Sequence, residues 1–209
     1  FKPTYAISDA LSSDELIVSD EFEKIYDPHI WFDITLWKKV IIYITDLLCT
    51  YNTPNKEYYQ MRMLKYLKKL TKLNKYIQAT IAQIPINNRY LITTHDAFSY
   101  FGRAYNIHVI GLQGVNVDAE PCIRNMQELV NFICTHEIPT IFIESSLSSR
   151  SMQAIAQAVL AQGQTIMIGQ ELYSDTLGGA ESNARTYIDM LTHNTQALVS
   201  GLNPMYTDV

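Results

Sequence analysis

Tyr90-Leu91-Ile92-Thr93-Thr94-His95-Asp96-Ala97-Phe98 is a short β-branched, apolar run that ends in polar residues and passes straight into a helical pattern. Residues 90–93 read as a strand and 97–105 as a helix, and the same unit recurs three times downstream. Strands at 108–112, 140–143 and 165–169 are followed by helices at 122–135, 151–162 and 182–202. Four strands spaced by helices predict an α/β lobe, a four-stranded parallel sheet flanked by helices on both faces.

Upstream of Pro85 the pattern changes. Met63, Leu67, Leu70, Leu73, Ile77, Ile81 and Ile84 recur in steps of three and four, which predicts one long helix over 56–84. The stretch Tyr51-Asn52-Thr53-Pro54-Asn55 breaks it from an earlier helix over 34–48, for which Asp33 is a candidate N-cap. Residues 4–8 are a short strand candidate, followed by an acidic, Ser-rich segment to Tyr26. The expected organisation is a piece at 1–54 too small for a balanced lobe, a connecting helix at 55–84 and a complete lobe at 85–209.

Of 209 residues, 47% are hydrophobic and 18% charged, which suits a folded globular chain. The net charge of −5 argues against a nucleic-acid partner. The charge is uneven. Residues 1–33 hold eight acids and two lysines, whereas 58–95 hold seven bases and no acid. The basic surface of the long helix reads as a solvated helix back, with phospholipid headgroups or a partner as the alternative. No run of 18 apolar residues occurs, so nothing here is expected to span a membrane. Cys49, Cys122 and Cys134 are odd in number and lack C-x-x-C spacing, so three buried free thiols are expected rather than disulfides or a cysteine metal site.

Five histidines occur. His29 lies in Asp27-Pro28-His29-Ile30-Trp31, a rigid turn entering a helix. His95 stands where the first strand of the lobe ends, and Asp175 follows the last strand in a loop that continues to Gly178-Gly179. Parallel sheets bind ligands beyond the carboxyl ends of their strands, which puts His95 and Asp175 at one functional edge. Two imidazoles and a carboxylate form a fitting set for a borderline divalent metal. From spacing alone, His95 reads equally as a satisfied structural residue and Asp175 as a turn former. His108, His136 and His193 read as structural, and Glu144 with Arg150 as a local ion pair or helix cap.

Five motifs occur in one order: Asp27-Pro28-His29-Ile30-Trp31, Thr94-His95-Asp96-Ala97-Phe98, Gly111-Leu112-Gln113-Gly114, Phe142-Ile143-Glu144-Ser145-Ser146 and Glu171-Leu172-Tyr173-Ser174-Asp175. Together they resemble the zinc/manganese/iron-type periplasmic solute-binding proteins of ABC importers, the cluster A-I metal-binding family, over residues 4–202. The resemblance implies two α/β lobes joined by a long rigid helix, with a metal ion in the cleft between them. It implies metal ligands at His29, His95 and Asp175, with no catalytic residue and no catalytic cofactor. It also implies a first ligand, a His, upstream of anything present, and so an N-terminally truncated member. His95 stands where manganese members usually carry Glu, and the segment before His29 lacks the His-rich loop of dedicated zinc members. Zinc, manganese and iron therefore all remain open, with capture expected to weaken below about pH 6 as imidazole protonates. The implied partners are an ABC permease and its ATPase, and the implied location is the periplasm or the outer face of the cytoplasmic membrane. Two other readings stand beside it. One is a metallohydrolase with Glu144 or Asp96 as general base. The other is a metal-independent interaction module using the basic helix.

Overall fold

The computed structural model describes residues 3–19, 25–115, 122–203 and 205. Two α-helices lead: α1 (Ile34–Tyr51) and α2 (Lys56–Ile81). The lobe follows as β1 (Tyr90–His95), α3 (Ser99–Tyr105), β2 (His108–Gln113), α4 (Ile123–Thr135), β3 (Thr140–Ile141), α5 (Arg150–Ala161), β4 (Met167–Ile168) and α6 (Tyr187–Leu202).

The strands are shorter than their apolar runs suggest. β1 pairs with β2 in parallel from Tyr90 opposite His108 to His95 opposite Gln113, and β3 pairs with β4 in parallel over two residues. The two ladders meet where the Phe142 N–H donates to the Ile92 carbonyl at 2.9 Å, giving the order β2-β1-β3-β4. The four expected strands are thus two narrow parallel ladders side by side. A parallel bridge between Glu144 and Leu172 extends the second ladder toward the site.

Side-chain alternation along each strand sorts the core into two layers. Leu91 and Phe142 point into a layer with Phe32, Ile34, Leu70, Ile77, Ile81, Phe98, Phe101, Leu191 and Leu198. Their neighbours Ile92 and Ile141 point into the opposite layer with Leu129, Ile133, Met152, Ile155 and Val159. Fully burying each such side chain contributes about 1.5–3 kcal/mol. The first layer joins residues from 30 to 202 in one core, so the turn carrying His29 is packed onto the lobe.

α1 starts where Asp33 accepts from the Thr35 and Leu36 amides at 2.7 and 3.3 Å, the cap expected from its position. α2 has 26 residues, about 39 Å at 1.5 Å each. Leu70, Leu73, Ile77 and Ile81 are buried along it, while Ile84 is buried in the turn that follows. Its bases Arg62, Lys65, Lys68, Lys69, Lys72 and Lys75 are exposed.

Several expectations need correcting. Residues 4–8 are not a strand: a 3-10 turn occupies Ile7–Ala10, its amides bonded locally, as when the Leu11 N–H donates to the Ser8 carbonyl. Asp20, Glu21 and Glu23 of the acidic segment lie outside the described residues. The last helix begins at Tyr187, where the Thr186 side chain caps it, not near 182. Of the three free cysteines, Cys49 is buried, Cys134 half-buried and Cys122 exposed, so the expectation of three buried thiols fails for Cys122 at the solvent-facing start of α4.

Candidate metal centre

Pro28 and the short 3-10 turn Ile30–Phe32 turn the chain sharply at His29. The Ile30 amide donates to the Pro28 carbonyl at 2.8 Å, and the Phe32 amide to the His29 carbonyl at 3.2 Å. Ile30 and Phe32 are buried, so the turn is anchored from the core side. Asp27 reaches forward within it. Its Oδ1 accepts from the His29 amide at 2.8 Å and sits 2.6 Å from His29 Nδ1. Tyr100 from α3 holds the base of the turn, its hydroxyl donating to the Asp27 carbonyl at 3.1 Å.

His95 ends β1. The backbone there needs a close neighbour: a side chain on Gly111 of β2 would put its Cβ 2.4 Å from the Asp96 nitrogen and 2.7 Å from the His95 carbonyl carbon. Glycine at 111 therefore lets the two strands converge where His95 leaves the sheet. Behind His95 stands Glu144, fully buried just past β3. Its Oε1 accepts from the His95 amide at 2.9 Å, and Oε2 lies 2.7 Å from His95 Nδ1, at ion-pair distance but out of line for a hydrogen bond. Glu144 is thus spoken for by His95, and the expected pairing with Arg150 or helix cap is not what it does.

Asp175 arrives from the loop after the Glu144–Leu172 bridge. Its Oδ1 lies 3.4 Å from His29 Nε2 and its Oδ2 3.4 Å from His95 Nε2. One potential ligand atom from each of the three residues falls within 4.8 Å of the others. The three positions singled out in the sequence converge on one point, from a turn, a strand end and a loop.

The charges are arranged around that point. Each imidazole presents Nε2 to it and turns Nδ1 to a buried carboxylate, Asp27 for His29 and Glu144 for His95. A carboxylate hydrogen-bonded behind Nδ1, as Asp27 is for His29, fixes the ring and its tautomer and makes Nε2 a better donor to a cation; behind His95 the Glu144 charge acts at ion-pair distance. Burial works against the charge on His95, but its contacts with Asp175 and Glu144 outweigh it and push its pKa up to about 9. Burial likewise opposes charge on His29, and Asp175 and Asp27 together raise its pKa. The two imidazoles in turn hold the Asp175 carboxyl well below the usual carboxylate range.

The remaining candidates have other partners. Asp96, next to His95 in the chain, has the Ser99 hydroxyl donating to its Oδ1 at 2.6 Å. His136 Nδ1 bonds the Phe132 carbonyl at the end of α4, and His193 Nε2, within α6, bonds the Glu171 carbonyl. His108 packs among aromatic rings with Tyr90 and Phe132. Spacing did not point to Asp27 and Glu144 as the groups orienting the histidines. For Asp27 the signal was its place two residues before His29; for Glu144 only the three-dimensional pairing of β1 with β3 supplies it.

A two-layered α/β lobe with a His–His–carboxylate cluster at the carboxyl edge of its strands offers a donor set suited to a small cation. The chain belongs to the family described as ZnuA, zinc-uptake complex component A periplasmic, whose profile matches residues 2–201. It is 38% identical to the zinc-binding protein TroA of Treponema pallidum over 197 residues, 94% of this chain and 63% of that protein. It is 34% identical to the manganese-binding lipoprotein MntA of Bacillus subtilis over 201 residues, 96% of this chain and 65% of that one. The chain therefore spans just under two thirds of the length of these curated relatives. The solved structure of the periplasmic zinc-binding protein TroA superposes with a TM-score of 0.90 at 37% identity, over 95% of this chain and 71% of that one.

Proposed function

We propose that this chain captures a transition-metal ion (zinc, manganese or iron) and passes it to an ABC permease driven by its ATPase. His29, His95 and Asp175 would be the ligands and the ion the cargo. The observation that carries this reading is the convergence of His29 Nε2, His95 Nε2 and both Asp175 oxygens, with a buried carboxylate behind each imidazole. Nitrogen and oxygen donors of this kind suit all three metals. Membership in the family supports work in the periplasm or at the outer face of the cytoplasmic membrane. Among the described residues, no helix is long and apolar enough to cross a membrane.

Binding without turnover is favoured over hydrolysis by the place of Glu144 and by the chain's relatives. Glu144 is buried on the Nδ1 side of His95, away from the Nε2 that faces the converging atoms, and the similar proteins TroA and MntA are described as metal-binding proteins. The division into 1–54, 55–84 and 85–209 follows the same reading, with α2 as the rigid connector between lobes.

Competitive titration with zinc, manganese and iron, beside His95→Ala and Asp175→Ala, tests it. Stoichiometric binding lost in both variants supports the site, and the order of competition ranks the metals. Equal binding by all three proteins would remove His95 and Asp175 as ligands.

A further inference from the structure

Of the three converging residues, Asp175 has the least scaffold of its own. It belongs to no helix or strand, and its side chain is 38% exposed, against 4% and 1% for His29 and His95. The adjoining backbone is nevertheless held at two points.

The first is Asn194, in the middle of α6 and 1% exposed. Its Nδ2 donates to the Tyr173 carbonyl at 2.7 Å, while its Oδ1 accepts from the Tyr173 amide at 3.0 Å. An additional contact from Nδ2 to Met190 Sδ is 3.5 Å long. Met190, Leu191, Ala197 and Leu198 around it are buried and apolar, where an amide is costly unless both its ends are satisfied. By offering one donor and one acceptor to a single residue, Asn194 imitates a neighbouring strand. It prolongs the ladder two residues short of Asp175.

The second is Trp31, whose indole N–H donates to the Ser174 carbonyl at 3.2 Å. Its own backbone is fixed in return, because the Tyr187 hydroxyl of α6 donates to the Trp31 carbonyl at 2.7 Å. Its ring also packs edge-on against the His29 imidazole, 5.2 Å between centroids. Trp31 thereby connects the turn that presents His29 to the loop that presents Asp175.

We infer that Trp31 and Asn194 are positioning residues for Asp175, forming a brace that sets its distance from His29 Nε2 and His95 Nε2. The inference rests on the proposed metal site and extends it: two side chains that touch no ion fix the geometry around it. Removing the Asn194 arm lets the carboxylate drift while both imidazoles stay in place, and Trp31→Phe keeps an aromatic ring beside His29 while cutting the bond to the loop.

The test uses cobalt(II) as the probe, because its visible d–d bands report the symmetry and number of ligands. Asn194→Asp keeps the acceptor and volume but sets an oxygen against the Tyr173 carbonyl; Trp31→Phe removes only the indole N–H and part of the ring. Each is expected to weaken cobalt(II) binding by about 10–100-fold, the range typical when a group supporting a metal ligand is lost. Each should also shift the d–d spectrum toward that of Asp175→Ala, with far-ultraviolet circular dichroism unchanged. A role confined to stability would lower the melting temperature and leave the spectrum of the bound ion as it was, which would overturn the inference. If Asn194→Asp does not fold, Trp31→Phe decides alone by the same criterion. If Asp175→Ala binds cobalt(II) with unaltered spectrum and affinity, it is the site assignment that has failed, and that result is separate from the brace.

Discussion

The two sides of the candidate metal centre are built differently. On one side, His29 and His95 are buried and each is fixed by a carboxylate that also binds its own backbone amide. On the other, Asp175 is partly exposed and held through its neighbours' backbone. The buried side is a wall of fixed geometry, and the exposed side is a wall that meets solvent and takes its position from Asn194 and Trp31.

The largest expected effect comes from breaking the fixed wall. His29→Ala should weaken zinc binding by more than about 100-fold, exceeding the 10–100-fold range of supporting residues. Asp175→Asn, on the exposed wall, should cost less, and calorimetric titration of both variants compares the walls directly. Next is Glu144→Gln, which keeps the hydrogen bond to the His95 amide but removes the charge behind Nδ1. It should lower zinc affinity about 10–100-fold and bring the His95 pKa down, as read by NMR titration of the metal-free protein.

A smaller effect is expected from pH, and its sign separates the two walls. The raised His95 value contributes stability fully below about 6.5, its ordinary value. That contribution is lost as pH rises through about 9. The depressed Asp175 value contributes above about pH 4 and is lost as pH falls through its lower folded value. The metal-free site should therefore stabilise the protein most between about pH 4 and 6.5, which a series of thermal melts reads out. Under the proposed reading an incoming ion would displace the histidine protons, so affinity should also rise with pH, a trend that metal titration at several pH values reads. The smallest effect is Asp33→Ala, which removes the cap of α1 just after the His29 turn and should cost about 1 kcal/mol in urea unfolding.

What the sequence disclosed, and what it withheld, follows from the range of the interactions. The helices α1 and α2 were legible because a three-and-four apolar period and a capping aspartate are local signals. The lobe was legible as alternating strands and helices, but the strand lengths were not: 165–169 reads as five extended residues, yet only Met167–Ile168 pairs with β3. Residues 4–8 looked like a strand because their extended propensity says nothing about a partner. At the site, His29, His95 and Asp175 stood out by motif and by their place at strand ends. Glu144 did not, because Arg150 is its plausible neighbour in sequence while His95 is its neighbour across the sheet. Asn194 gave no signal at all, since an amide inside an amphipathic helix looks like an exposed polar position until the loop it grips is known.

His29, His95 and Asp175 come from three widely separated stretches of chain, and none lies within a helical turn of another. An unfolded chain cannot hold them together, so under the proposed reading an ion that needs all three binds the folded form alone. The cargo then weights the folding equilibrium by RT ln(1 + [ion]/Kd), about 2.7 kcal/mol when the free ion stands at one hundred times Kd. Loaded molecules would resist proteolysis and empty ones would be culled, so metal supply would govern how much of the protein survives as well as how much of it is filled.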